Sequence, residues 1–234
     1  MAPAQKPRRW LRWVAAGVVT VLVIVVGGPF VYIHFIEADP APAPSLESTP
    51  TTVLKAGETR APLAGTWKTV SPTVVRYRVN ETLFGQSNTA TGQTKSITGS
   101  MTFAGTNVTK ASFTVDMTSV TSDESQRDGY FQGRIMDTAN FPTAKFELTK
   151  PIALGTEPKN GVQANYTATG KLTLHGTTKE VTFPLKARRT ANLIAVQGTV
   201  PVTFADYGIN NPSGGPAQVG DTGVMVFVLA FNPS

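Results

Sequence analysis

The chain contains no cysteine, and that absence removes disulfides, thiolate metal centres and cysteine nucleophiles together, whatever the redox compartment. Histidine is almost as scarce: His34 and His175 are the only two in 234 residues, too few for the usual histidine-rich zinc sites, and no metal or other cofactor is expected. Neither Gly-x-x-x-x-Gly-Lys nor Gly-x-Gly-x-x-Gly occurs, so no nucleotide-phosphate loop is indicated. No serine elbow or paired-carboxylate pattern accompanies the histidines, which argues against an enzyme. The formal charge of +6 is largely local, because Lys6, Arg8, Arg9 and Arg12 crowd the N-terminus. From Pro62 onward 15 basic residues face 11 acidic ones, and the densest cluster is Lys186, Arg188 and Arg189. A solvated strand end accounts for that excess at least as well as a nucleic-acid patch, and no nucleic-acid partner is expected.

What the chain does have is one long apolar run. Trp13 to Ile36 spans 24 residues without a full charge, enough for a helix to cross a bilayer core. Basic residues precede it and Glu37 and Asp39 follow it, which places residues 1–12 in the cytoplasm and the remainder outside. Trp10, Trp13 and Tyr32 suit interfacial positions, and His34 falls near the outer end with no chemical role. The competing reading is a cleaved signal peptide, whose apolar region is usually about 7–15 residues long; no convincing small-x-small site follows, Ala41 and Ala43 coming closest. Residues 37–61 are rich in Pro, Ala, Thr and Ser and lack apolar periodicity, so they read as a disordered, extended tether. Residues 62–234 form the folded domain.

In that domain the apolar period is two. Ala111, Phe113, Val115 and Met117 alternate with Ser112, Thr114, Asp116 and Thr118, and Val75, Tyr77 and Val79 alternate with Arg76, Arg78 and Asn80. The pattern recurs at Met101 and Phe103, at Ala144, Phe146 and Leu148, at Val200, Val202 and Phe204, and at Val224, Val226 and Val228. Many antiparallel strands joined by Gly, Asn and Thr turns make a sandwich or a barrel, and closing the sheet removes its exposed edges. One stretch, Thr121 to Pro142, breaks the pattern. Thr121 with Glu124 has capping-box spacing for a short helix, although a solvated loop fits the polar composition equally well. Its carboxylates Asp123, Glu124 and Asp128 read as a solvated face.

The stretch YTATGKLTLHGTTKEVTFPL reads as a hairpin turning at Gly176 and Thr177. Tyr166, Ala168, Gly170, Leu172 and Leu174 share one face, matched by Val181, Phe183 and Leu185 on the returning strand. His175 falls on the opposite parity, with Lys171 and Thr173, and is expected to point to solvent. Small Ala168 and Gly170 among large inward residues leave room for a ligand. Phe103, Phe113, Phe146 and Phe183 leaning over them would instead complete a solid core, and periodicity does not distinguish the two.

Several stretches together resemble the YceI family of lipid- or polyisoprenoid-binding domains of bacterial envelopes. GKLTLHGTTKEVTFPL resembles the family's strand-turn-strand; Asp123, Arg127-Asp128, Met136-Asp137, Phe141-Pro142 and Phe146 fall in the family's order; FADYGIN and VMVFVLAF complete the match over residues 65–231. The resemblance implies an antiparallel eight-stranded, lipocalin-like barrel with a short helical insertion, here preceded by one transmembrane helix. It implies a long apolar cavity for an isoprenoid chain or quinone, lined by Tyr77, Phe103, Phe113, Val115, Met117, Phe146, Tyr166, Ala168, Gly170, Leu172, Leu174, Phe183 and Phe204. Pro72-Thr73 stands where relatives often carry His-Ser, Asn80 or Glu81 where a further histidine occurs, and Gly129-Tyr130-Phe131 ends the usual Arg-Asp-x-x-Leu. These departures fall where the resemblance puts contacts to the ligand's polar head. The competing functions are a solid-core β module for a protein or glycan partner and, third, an enzyme acting on lipid head groups.

Overall fold

Strand alternation is realised as a single closed antiparallel sheet. The computed structural model describes residues 42–50, 59–215 and 217–234. The expected anchor, with His34, lies outside the described residues. Among those described, no helix is long and apolar enough to cross a membrane.

The first strand, β1 (Gly65–Leu83), is followed by β2 (Gln86–Thr94) and β3 (Ile97–Ala104), both on one side of it. β2 pairs with Val75–Leu83 and β3 with Gly65–Lys68, so the two lie end to end as one bent stave. β4 (Asn107–Asp116), β5 (Thr143–Leu148), β7 (Gln163–Leu174), β8 (Thr177–Thr190), β9 (Leu193–Thr203) and β10 (Ala217–Pro233) continue the circuit, with a two-residue strand β6 (Ile152–Ala153) on the flank of β4. β10 then pairs with β1 from Trp67↔Pro233 to Leu83↔Ala217, closing an eight-stave barrel. The β1–β10 ladder shifts register between Val70 and Val74, around Pro72, which has no N–H to contribute. The Thr73 hydroxyl bridges the gap, donating to Val70 O (2.6 Å) and accepting from Ala230 N (3.3 Å).

Between β4 and β5 runs the helical insertion: a 3₁₀ turn (Met117–Ser119), helix α1 (Ser125–Tyr130) and a π-helical turn (Phe131–Ile135). The expected Thr121–Glu124 cap does not form. Glu124 is the N-cap without a side-chain cap bond, and Asp128 reaches back instead, accepting from Ser122 N (2.7 Å) and Ser122 Oγ (2.6 Å). Asp123 pairs with Arg127 one turn on. The insertion closes the side of β2 that faces away from β1. A single bridge joins Gln93 to Thr121, and the Phe131 ring stacks on Tyr77 with centroids 5.0 Å apart. An otherwise open strand edge is thereby covered.

Burial on β1 and β10 runs opposite to a filled barrel. Met225 and Phe227 face inward yet keep intermediate exposure, whereas their outward neighbours Val226, Val228 and Ala230 are 6, 2 and 0% exposed. Two corrections follow. VMVFVLAF is apolar at both parities, and its luminal face is Met225, Phe227, Leu229 and Phe231 rather than the Val224, Val226, Val228 series. And residues 42–50, expected to belong to the disordered tether, lie as a strap on the outer wall. Leu46 is 1% exposed and Pro44 and Thr49 are buried. The strap is tied to β9 by Leu46 N donating to Gln197 Oε1 (3.1 Å), to β8 by Arg188 Nη2 donating to Leu46 O (2.8 Å) and Thr49 Oγ1 (2.8 Å), and to β1 by Arg76 donating to Pro42 O. Residues 59–61 are held as well, with Ala61 N donating to Asn192 Oδ1 (2.7 Å).

The strap is expected to count as core. Leu46→Ala should cost about 2 kcal/mol, the low end for a buried Leu→Ala change because a surface strap can settle, and lower the melting temperature by roughly 4–8 °C. Thermal denaturation followed by circular dichroism measures this, and a shift below about 1 °C would mean that the strap contributes no packing.

Candidate functional site: the barrel lumen

Inward side chains of the staves enclose two adjoining chambers. The wider, about 770 Å³, lies beneath the helical insertion, between Tyr77, Val79 and Glu81 of β1, Val202 of β9, Phe204 just beyond it and the 209–214 loop. The narrower, about 150 Å³, continues toward the other end among Phe113, Phe146, Phe183 and Phe227. Val75, Val115, Ala144 and Met225 line both, so the chambers meet at that level.

Of the residues expected to line the lumen, Tyr77, Met117, Leu174 and Phe204 border the wide chamber. Phe103, Phe113, Phe146, Tyr166, Ala168, Leu172 and Phe183 border the narrow one, and Val115 borders both. Gly170 is the exception. The Phe146 ring lies against it so closely that a Cβ there would sit 2.4 Å from ring carbon Cζ, so its missing side chain seats a phenylalanine rather than making room for a ligand. The choice between hollow and solid therefore divides along the barrel: rings crowd one half while the other stays open.

Sequence reasoning missed the insertion's share of the wall. Tyr130, Phe131, Arg134, Ile135 and Met136 border the wide chamber. Phe131 with Ile135 and Met136 is an apolar stripe at i, i+4 and i+5, a spacing that a π-helical turn places on one side. Arg134 lies over the Tyr130 ring, its guanidinium carbon 5.1 Å from the centroid. Tyr130 is 48% exposed, and Phe84, at the tip of the β1–β2 hairpin, is 54% exposed.

At the far end Arg189 is 1% exposed. It donates to Glu157 Oε1 (3.0 Å) and to Ala61 O, and its guanidinium carbon stands 5.2 Å from the centroid of Trp67, itself 1% exposed. Burial, with Arg60 alongside, lowers its pKa from the ordinary arginine value while Glu157 opposes the shift, and the group remains charged. Arg189 thus stoppers the narrow chamber.

His175 corrects an expectation. The hairpin turns at His175-Gly176, both with positive φ (48° and 74°), one residue earlier than anticipated. The ring does not point freely to solvent: it packs edge-on against Phe141 (4.6 Å between centroids), and Nδ1 lies 3.2 Å from Tyr207 O. It pins the β7–β8 hairpin to the loop that precedes β5 and to the 3₁₀ turn Phe204–Tyr207.

The one luminal group with a large shift is Tyr77, whose phenol burial pushes up to about 12. It is neutral near pH 7 and offers a hydrogen bond, not proton transfer. Among the described residues no three His, Asp or Glu side chains converge as a metal site. What this arrangement can do chemically is accept an apolar guest, with Glu81 and Arg134 at the wide chamber and Arg189 at the narrow end.

Fold and lumen together define a closed antiparallel barrel with an apolar interior, the architecture of the lipocalin-like barrels. The chain belongs to the YceI-like domain family, which matches residues 69–231. Several solved structures share the fold. A polyisoprenoid binding domain from Saccharophagus degradans is 18% identical with a TM-score of 0.59, the match covering 73% of this chain and 99% of that one. BcnA of Burkholderia cenocepacia is 19% identical with a TM-score of 0.55, covering 68% and 95%. No curated protein matches the chain.

Deprotonation of Tyr77 should mark the alkaline limit of stability. Its folded pKa is raised, so the stability it supports is complete below pH ~10 and is lost as pH climbs through about 12, on the order of 2–3 kcal/mol in all. The fall in melting temperature above pH ~10 should be visibly shallower in Tyr77→Phe, measured by calorimetry from pH 7 to 11.5; identical profiles would remove Tyr77 as the cause.

Proposed function

We propose that the protein binds a long-chain apolar lipid, a polyisoprenoid or isoprenoid quinone, in the barrel lumen, holding it on the extracytoplasmic side of the membrane for transport, storage or sensing. The observation that carries this is the hollow interior. Val75, Tyr77, Val115, Met225 and Phe227 border open space and stay only partly buried although each packs against the core on its other side. A chain drawn into that space gains about 0.8 kcal/mol for each buried CH₂, so several isoprene units bind tightly without a polar clamp. The Saccharophagus degradans domain with the same fold carries polyisoprenoid binding in its name.

The membrane attachment rests on the apolar run Trp13–Ile36. The docked strap then changes the geometry anticipated for the tether. With Pro42 already bonded to Arg76, only the residues between Ile36 and Pro42 separate anchor from barrel, a reach of roughly 20 Å at most. The barrel is thereby held against the bilayer. Exposed Phe84 and Tyr130, with Arg134, give the rim of the wide mouth the aromatic and cationic character of an interfacial surface.

Organic extraction of protein purified from a bacterial membrane, followed by mass spectrometry, should recover an isoprenoid lipid. Val79→Trp, projecting into the wide chamber, should reduce that lipid several-fold while the β-sheet spectrum is retained. Lys171→Ala, on the exposed outer face of β7, should leave it unchanged. A wild type devoid of lipid and unable to take up added isoprenoid would refute lipid binding.

For the anchor, the full-length protein should stay in the membrane fraction through high-salt and carbonate washes. Recovery of a soluble form beginning near Ala41 would establish a cleaved leader instead.

A further inference from the structure

We propose that the phenylalanines of the narrow chamber act as a ruler, limiting the length of isoprenoid chain that the barrel accepts to about six isoprene units; the inference rests on the lipid-binding reading above. Phe113 of β4, Phe146 of β5, Phe183 of β8 and Phe227 of β10 form a continuous ladder. Phe113 and Phe146 stack at 6.4 Å, Phe146 meets Phe183 edge-on at 5.4 Å, and Phe183 meets Phe227 edge-on at 5.9 Å. All four rings line the narrow chamber and none lines the wide one. The ladder begins where the two chambers meet and accounts for the fivefold difference between them, 150 against 770 Å³.

Two of the rings are held in place by strands that contribute none of the four phenylalanines. β7 and β9 present Gly170 and Gly198 beneath them, and a Cβ on either would come within 2.4 Å of a ring carbon, of Phe146 and Phe227 respectively. Phe146 and Phe227 are thus seated against backbone, so neither can lean back into the wall to admit more chain. A seated ring is a stop, whereas a flexible side chain would be a gate.

The volumes give the length. An apolar cavity of about 150 Å³ takes one benzene-sized guest, close to the bulk of one isoprene unit. On that scale the wide chamber holds about five units and the narrow one a single further unit, a chain of roughly thirty carbons. Removing one phenyl ring frees space for about one more unit, and filling the narrow chamber denies it the unit that it holds.

The test offers full-length protein an equimolar mixture of all-trans prenols of three to ten units and identifies the bound species by mass spectrometry. Wild type should favour chains near six units. Phe146→Ala should move the maximum at least one unit longer, and Ala168→Trp, whose small side chain lines the narrow chamber, at least one unit shorter. If Phe146→Ala fails to fold by circular dichroism, Phe183→Ala supplies the lengthening arm. An unchanged length distribution across folded variants that still bind prenols overturns the ruler and leaves lipid binding intact. A wild type that binds no prenol of any length overturns both.

Discussion

The pairing of β1 with β10 is the contact on which the remaining structure depends. It joins the first stave to the last, and without it the sheet would present two long open edges. Register matters as much as contact, because a slip by one residue would carry Val226 and Val228 into the lumen and expel Met225 and Phe227. β10 is apolar at both parities and does not specify that choice. It is specified from outside the strand: the Thr73 hydroxyl accepts from Ala230 N at the register shift.

An eight-stave barrel is normally just wide enough for side chains to fill. This one gains a wide chamber where its sheet is incomplete. β2 has no neighbouring strand on its far side, and the insertion spans the gap with Phe131 against Tyr77 instead of a ladder of hydrogen bonds. Where β4, β5 and β7 pair continuously, the same circumference is crowded by phenylalanines and the lumen contracts. Opening one edge and lining the rest with aromatics divides a uniform barrel into a mouth and a stop.

Period-two alternation made the staves legible at β1, β4 and β7, where one face is apolar and the other polar. It also placed Ala168, Leu172 and Phe183 toward the interior, where they are found. At β10 it had nothing to read, since both faces are apolar. His175 was misplaced because parity describes strands, and His175 is a turn residue with positive φ whose ring is free to fold back on Phe141. Gly170 was misread because space beside a glycine belongs to whichever neighbour reaches it first, and Phe146 does. The strap was hidden by its composition: one buried leucine among prolines and serines gives no periodicity, and its hold on the barrel comes from Arg76, Arg188 and Gln197, distant in sequence.

A hollow interior sets a stability problem that the strap helps to answer. Apolar residues facing an unfilled lumen forgo the contacts that a packed core would supply, each a loss of dispersion and of burial. The chain replaces part of that core in two other places. On the outer wall, Leu46, Pro44 and Thr49 are buried against β8 and β9 in a segment that would otherwise be tether. At the narrow end, Trp67 and Arg189 stopper the barrel, the guanidinium held between an indole face, a carboxylate and a carbonyl. Neither structure touches the wide chamber. Stability is thereby moved out of the space that a ligand must occupy, and the lumen can be filled or emptied without unmaking the interactions that keep the barrel closed.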